Sequence, residues 1–186
     1  MYQKRNRELD IILLFLGDYS RRLYLREISV LTKIPLKTTQ NLLSLLEKEN
    51  ILSSKTHGKN KYFQLNLQNI QTKFYLLRAE IHKTLFFLEK YPVFKTFLKE
   101  VNNALIIIFG SFAKFKADKN SDLDLMTLSK QKLPLHLLPY KIHNIEISKK
   151  VFEKSSETLI KEIEQNHIVL SNHSYYVNTM WDKYAK

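Results

Sequence analysis

Apolar positions recur at helical spacing through the first fifty residues, and they predict helices over residues 7–16, over Tyr24–Leu31 and from Pro35 to about Asn50. Lys33-Ile34-Pro35 makes the turn between the last two, because proline is pre-set for a helix start. In the third helix Leu36, Leu42, Leu43, Leu45 and Leu46 supply an apolar side, and Lys37, Thr38, Thr39 and Gln40 cluster at an exposed first turn. The pattern then shortens. Ile51–Lys55 and Lys61–Leu65 flank Gly58 as the two strands of a hairpin. A long helix follows from about Gln68 to Lys90, stopped by Tyr91-Pro92, with Ile70, Phe74, Leu77, Ile81, Leu85 and Leu88 in one stripe. Such a stripe either packs a homodimer or rests on its own neighbours. A shorter helix over Val93–Val101 leads into a second region of strands: Ile106–Phe109, Leu125–Leu128, Ile142–Ser148 and Ile168–Leu170, with a helix over Ser156–Gln165.

The chemistry concentrates where the first of these strands ends. Gly110-Ser111 follows Ile106–Phe109, ten residues intervene, and Asp122 and Asp124 then flank Leu123. Gly110 lets the backbone turn sharply and approach a ligand, and a helix starting near Ser111 offers unpaired N–H groups to a phosphate. Residues two apart on a strand share a face, so the two aspartates present paired carboxylates. Their repulsion is relieved by a divalent cation.

Charge adds a second theme. Thirty Lys and Arg against eighteen Asp and Glu give +12, and residues 1–66 hold 12 basic against 6 acidic residues, half of that excess. A polyanionic partner fits this balance; a lysine-rich proteome is the other source of such charge. With 44% hydrophobic residues the chain can build packed cores, and its 186 residues suit one large or two small domains. The absence of cysteine excludes disulfides and thiolate zinc sites and fits a reducing cytoplasm. The apolar run Ile11–Leu16 is too short to span a bilayer, so no membrane partner is expected. No Gly-x-Ser-x-Gly elbow, Walker loop or His-Glu-x-x-His occurs. His57, His82, His136, His143, His167 and His173 have no metal-ligand spacing and read as packed or solvated.

The run Gly110-Ser111-Phe112-Ala113-Lys114, followed by Ser121-Asp122-Leu123-Asp124-Leu125, resembles the signature of the DNA polymerase beta superfamily, closest to its minimal nucleotidyltransferases. Phe115 departs from it, standing where the pattern has glycine. The resemblance implies transfer of a nucleoside monophosphate from an NTP to a hydroxyl on RNA, protein or a small molecule, with two Mg²⁺ ions on Asp122 and Asp124. Gly110, Ser111, Lys114 and Ser121 would then meet the nucleotide. It also implies a third carboxylate on a neighbouring strand, for which Glu146 is the candidate, as catalytic group and metal ligand; alternating Ile145-Glu146-Ile147 is equally ordinary strand patterning. The N-terminal order of elements is similar to a winged helix-turn-helix domain. That implies duplex DNA, with Lys37, Thr38, Thr39 and Gln40 at the base edges and Lys55, His57, Lys59 and Lys61 on phosphates, although winged helices also bind proteins. The expected organisation is mixed α+β and α/β: a winged helix over 1–66, linking helices over 67–101, and a nucleotidyltransferase over 102–186 with a small mixed sheet flanked by helices. The alternatives are a regulator whose second domain senses nucleotide or acts as a scaffold, and an antitoxin-like partner of a toxin.

Overall fold

The computed structural model describes residues 6–101, 104–128, 132–154 and 158–185. The chain divides into two compact units, one of Met1–Ala79 with Met180–Lys186 and one of Glu80–Thr179.

In the first unit, α1 (Arg7–Ile12) starts at Asn6, whose side chain accepts a hydrogen bond from the Leu9 N–H at 3.2 Å. This satisfies one of the donors that a helix start leaves open. The helix expected to continue to residue 16 tightens instead into a 3-10 turn at Leu13–Phe15. A two-residue strand, β1 (Leu23–Tyr24), precedes α2 (Leu25–Thr32) and α3 (Leu36–Lys48). Lys33 ends α2 in the left-handed region at φ +57°. Then β2 (Leu52–His57) and β3 (Asn60–Leu65) form an antiparallel hairpin, and the sheet order is β1-β3-β2. Ile28, Leu43, Leu46, Ile51, Leu52, Phe63 and Leu65 are buried together with Ile11, Ile12 and Phe15 of the first helical segment. Each such side chain contributes roughly 1.5–3 kcal/mol on leaving water.

The next helix, α4 (Ile70–Lys90), buries Thr72, Leu76, Ala79, Glu80, Thr84 and Phe87. The apolar row singled out by its spacing lies on another side: Ile70 is 57%, Phe74 60%, Ile81 42% and Leu85 46% exposed. Leu77 and Leu88 of the same row are partly covered, and Leu88 packs against the core of the second unit, so the row is split between covered and bare positions. The helix is apolar on two sides, and spacing alone does not say which one a fold will cover.

In the second unit, α5 (Val93–Lys99) leads to β4 (Leu105–Phe109), a single helical turn α6 (Gly110–Ala113), β5 (Leu123–Leu128) and β6 (Ile142–Glu146). After these come α7 (Lys149–Lys154), α8 (Thr158–Gln165), β7 (Ile168–Ser171) and α9 (His173–Tyr184). The expected start of a helix at Ser156 lies outside the described residues. The sheet order is β6-β5-β4-β7; β5 and β6 are parallel, and the other pairs antiparallel. One face of this sheet contributes Ile106, Ile108, Leu123 and Leu125 to a core with Phe87, Phe94, Phe97 and Phe112. Elsewhere in the unit Glu80 and His167 are fully buried, with His167 Nε2 2.9 Å from Glu80 Oε1 and Nδ1 2.7 Å from the Glu164 carbonyl oxygen.

Candidate active site

β4 is buried along most of its length and releases the chain at Gly110, where φ is +68°. A side chain there is excluded twice, by the left-handed backbone and by a neighbour: a Cβ on Gly110 would collide with the carboxylate of Asp124. Phe109 and Asp124 are partners in the β4–β5 register, which brings the second aspartate to the turn. Asp122 immediately precedes β5 and shares the face of Asp124. Their side chains are 35% and 29% exposed, so both are open to solvent and to a ligand.

The ten-residue connection is held by its own hydrogen bonds. Phe115 takes φ +57°, the conformation that glycine adopts without strain, and its carbonyl accepts from Lys90 Nζ. The backbone thus makes a glycine-like turn at the departure from the signature, at a cost on the order of 1–2 kcal/mol. The Asp118 carboxylate accepts from the Asn120 N–H at 2.9 Å and from the Ser121 hydroxyl at 3.1 Å, and these bonds hold its pKa below the usual carboxylate range. Ser121 is thereby engaged within the turn. Lys114 is exposed and lines a cleft of about 290 Å³ with Phe109, Gly110, Glu162, Gln165 and Asn166. Ser111 lies in α6, partly exposed.

Glu146 does not join the pair. In the β5–β6 register Asp124 is opposite His143 and Thr127 is opposite Glu146. Glu146 therefore projects from the other face of the sheet, where Asn144 Nδ2 lies 3.4 Å from its Oε1. The row that shares the aspartates' face is Lys141, His143 and Ile145. Lys141 Nζ is 3.1 Å from Asp122 Oδ2, and His143 places Nε2 3.7 Å from Asp122 Oδ2 and Nδ1 3.5 Å from Asp124 Oδ1. His143, read from the sequence as packed or solvated, faces both carboxylates. Only the register of a parallel pair could have found it, and no short motif carries that information. Asp122 and Asp124 supply hard, partly exposed oxygens, a fit for Mg²⁺ or a similar cation. Among the described residues no group of three or more His, Cys, Asp or Glu side chains is arranged to hold a metal ion.

In the first unit, Lys37 and Gln40 are exposed and Thr38 is half-buried at the start of α3. Thr39 departs from the expected exposed cluster: it is fully buried, and its hydroxyl is 3.1 Å from the Ile34 carbonyl oxygen and 3.2 Å from that of Pro35. Thr39 stands one helical turn before Leu43 and so belongs to the core side. Lys55, His57, Lys59 and Lys61 are exposed, but Lys61 Nζ already contacts Glu47 Oε2 at 2.8 Å. Arg22, Lys55, Thr56, His57, Tyr62 and Gln64 line a cleft of about 350 Å³ on this sheet.

Residues 93–176 match the family model described as Polymerase beta, Nucleotidyltransferase. The matched segment contains the β4 turn, the acid pair and β6. It supports membership of this region in the nucleotidyltransferase superfamily and nucleotidyl transfer as its general chemistry. No curated protein and no solved structure matches the chain. Among the described residues no helix is long and apolar enough to cross a membrane.

Proposed function

We propose that the chain transfers a nucleoside monophosphate from an NTP to a hydroxyl acceptor, with Asp122 and Asp124 holding divalent metal. The observation that carries this reading is the meeting of Gly110 with Asp124 at the end of β4, inside the matched segment. A bound cation would neutralise phosphate charge and lower the pKa of the acceptor hydroxyl. Gly110, without a side chain, leaves room beside the carboxylates for the triphosphate, and exposed Lys114 in the adjoining cleft offers it a point charge. The acceptor hydroxyl gives up its proton to solvent as its oxygen forms a bond to the α-phosphorus, the bond from that phosphorus to the oxygen bridging to the β-phosphate breaks, and pyrophosphate leaves. Positioning and charge neutralisation dominate such chemistry. In a calorimetric titration with Mg²⁺-ATP and Mg²⁺-GTP, the double replacement Asp122→Asn/Asp124→Asn is expected to abolish metal-dependent binding. Equal affinity in wild type and variant would sink the assignment.

For the first unit we propose a winged helix that binds duplex DNA. Support comes from the succession of α2, turn, α3 and hairpin, and from exposed Lys37, Gln40, Lys55, His57 and Lys59. Replacing Lys55 and Lys59 should weaken binding to every sequence and flatten the salt dependence by up to about one unit of slope per lost phosphate contact. Replacing Gln40 should alter sequence preference instead. If the folded protein retards no duplex at low salt, the DNA reading fails. A nucleotide-sensing module is the second reading, favoured by Lys141 and His143 standing on the aspartates' face in the absence of Glu146.

A further inference from the structure

The acid pair is already half-answered by its own sheet. From Lys141 onward the side chains alternate, and the ones that share the aspartates' face are an ammonium, an imidazole and an isoleucine. Lys141 and His143 both turn to Asp122 Oδ2, and His143 also turns to Asp124 Oδ1. Asp124 Oδ2 is the oxygen that a Gly110 Cβ would strike. Asp118 is tied into its turn and Glu146 is on the opposite face, while Glu162 lines the cleft on the Lys114 side of Gly110, with Gln165 and Asn166. Two divalent cations bring four positive charges and need many oxygen donors, about six apiece for Mg²⁺. Two carboxylates beside the Lys141 ammonium offer a net charge of only −1.

We propose that this site takes one divalent cation, the one that accompanies the triphosphate, and that Lys141 and His143 stand where a second ion would have to be bound. The inference rests on the nucleotidyl-transfer reading and deepens it: Lys141, just before β6, and His143 within it set the metal stoichiometry. The acceptor hydroxyl then meets a site whose second positive group is the Lys141 ammonium, supplied by the protein.

The test counts metal ions on the full chain. Mn²⁺ is titrated in the presence of saturating α,β-methylene ATP or GTP, and bound ion is read from the loss of the free-ion paramagnetic resonance signal, with the nucleotide alone as reference. Counted per protein–nucleotide complex, wild type should hold one Mn²⁺, the ion that the nucleotide already carries in the reference, and Lys141→Ala/His143→Asp should hold two. Lys141 is 73% exposed, so the single replacement Lys141→Ala leaves the fold in place, and it should tighten Mn²⁺ binding by about 10-fold by removing the competing charge. Two ions in wild type, one ion in the double variant, or an unchanged affinity in Lys141→Ala would each overturn this inference while leaving nucleotidyl transfer standing. No metal-dependent nucleotide binding in wild type would overturn both.

Discussion

Two glycines with nearly the same backbone do different things. Gly58 turns the β2–β3 hairpin at φ +59° and has nothing within 4 Å of the place a Cβ would occupy; Gly110 leaves β4 at φ +68° and has the Asp124 carboxylate there. The first is favoured by conformation alone, at the leading position of a two-residue hairpin loop. The second is favoured by conformation and also demanded by a neighbour that the proposed chemistry needs. A positive φ marks a turn, and the neighbour is what marks a site. Non-glycine residues take a similar positive φ at Lys33, Asn50, Phe115 and Asn172, so a positive φ by itself is tolerated in this fold.

The largest expected effect follows from the crowded glycine. Gly110→Ala should push Asp124 from its place and lower nucleotidyl transfer, or metal-dependent nucleotide binding, by roughly 10²-fold, on the scale of misplacing a positioned group. Circular dichroism should still report a folded chain. Wild-type binding in the Gly110→Ala variant would show that the close approach has no part in the site, and the contrast between the two glycines would collapse. Gly58→Ala comes next: it should cost about 1–2 kcal/mol of stability through backbone strain, measured by denaturant unfolding, with nucleotide binding unchanged. Gly58→Asn should cost less, within about 0.5 kcal/mol, because Asn accepts the left-handed region more readily.

The smallest effect concerns the hairpin's tie to α3. Glu47 accepts hydrogen bonds from Lys61 and from the Ser54 hydroxyl, and Lys61 followed by Ser54 pulls its carboxyl below the ordinary range. A depressed carboxylate stabilises the fold fully above its unfolded pKa of about 4.3, and that contribution disappears as pH falls through the lower folded value. The pair is 49% and 32% exposed, so solvent screening holds the effect to a few tenths of a kcal/mol. Glu47→Gln should flatten the acid limb of a stability profile by about that much, while a profile identical to wild type would assign the tie no energy.

What could be read before the fold was seen was local. Ile106–Phe109, Gly110 and the Asp122/Asp124 spacing each depend on residues a few positions apart, and the period of two puts the carboxylates together whatever the rest of the chain does. The position of β6 depends instead on parallel pairing across a connection that leaves β5 at Leu128 and returns at Ile142. A shift of one residue exchanges the two faces, and the observed register puts His143, not Glu146, on the face of the aspartates. Thr39 was misplaced for another reason. Leucine spacing marks only part of the buried side of α3, because a threonine can be buried when its hydroxyl is satisfied by nearby carbonyl groups, here those of Ile34 and Pro35. The final helix, α9, had Tyr176, Val177 and Met180 as its buried side, a pattern short enough to pass unnoticed among polar residues.

The border position of β6 has a consequence for how the site can change over generations. β5 lies inside its sheet, with β4 on one side and β6 on the other, so replacing Asp122 or Asp124 disturbs residues at or beside a strand held along both flanks. β6 pairs only with β5 among the described residues, and His143 is 55% exposed. Substitutions there meet no second ladder and little packing, so acid, imidazole and ammonium groups can replace one another at small cost to folding. The position beside the aspartates is thus the most mutable one: a lineage could exchange acid, imidazole and ammonium groups there, and so retune the proposed chemistry, while the sheet that presents the aspartates stays the same.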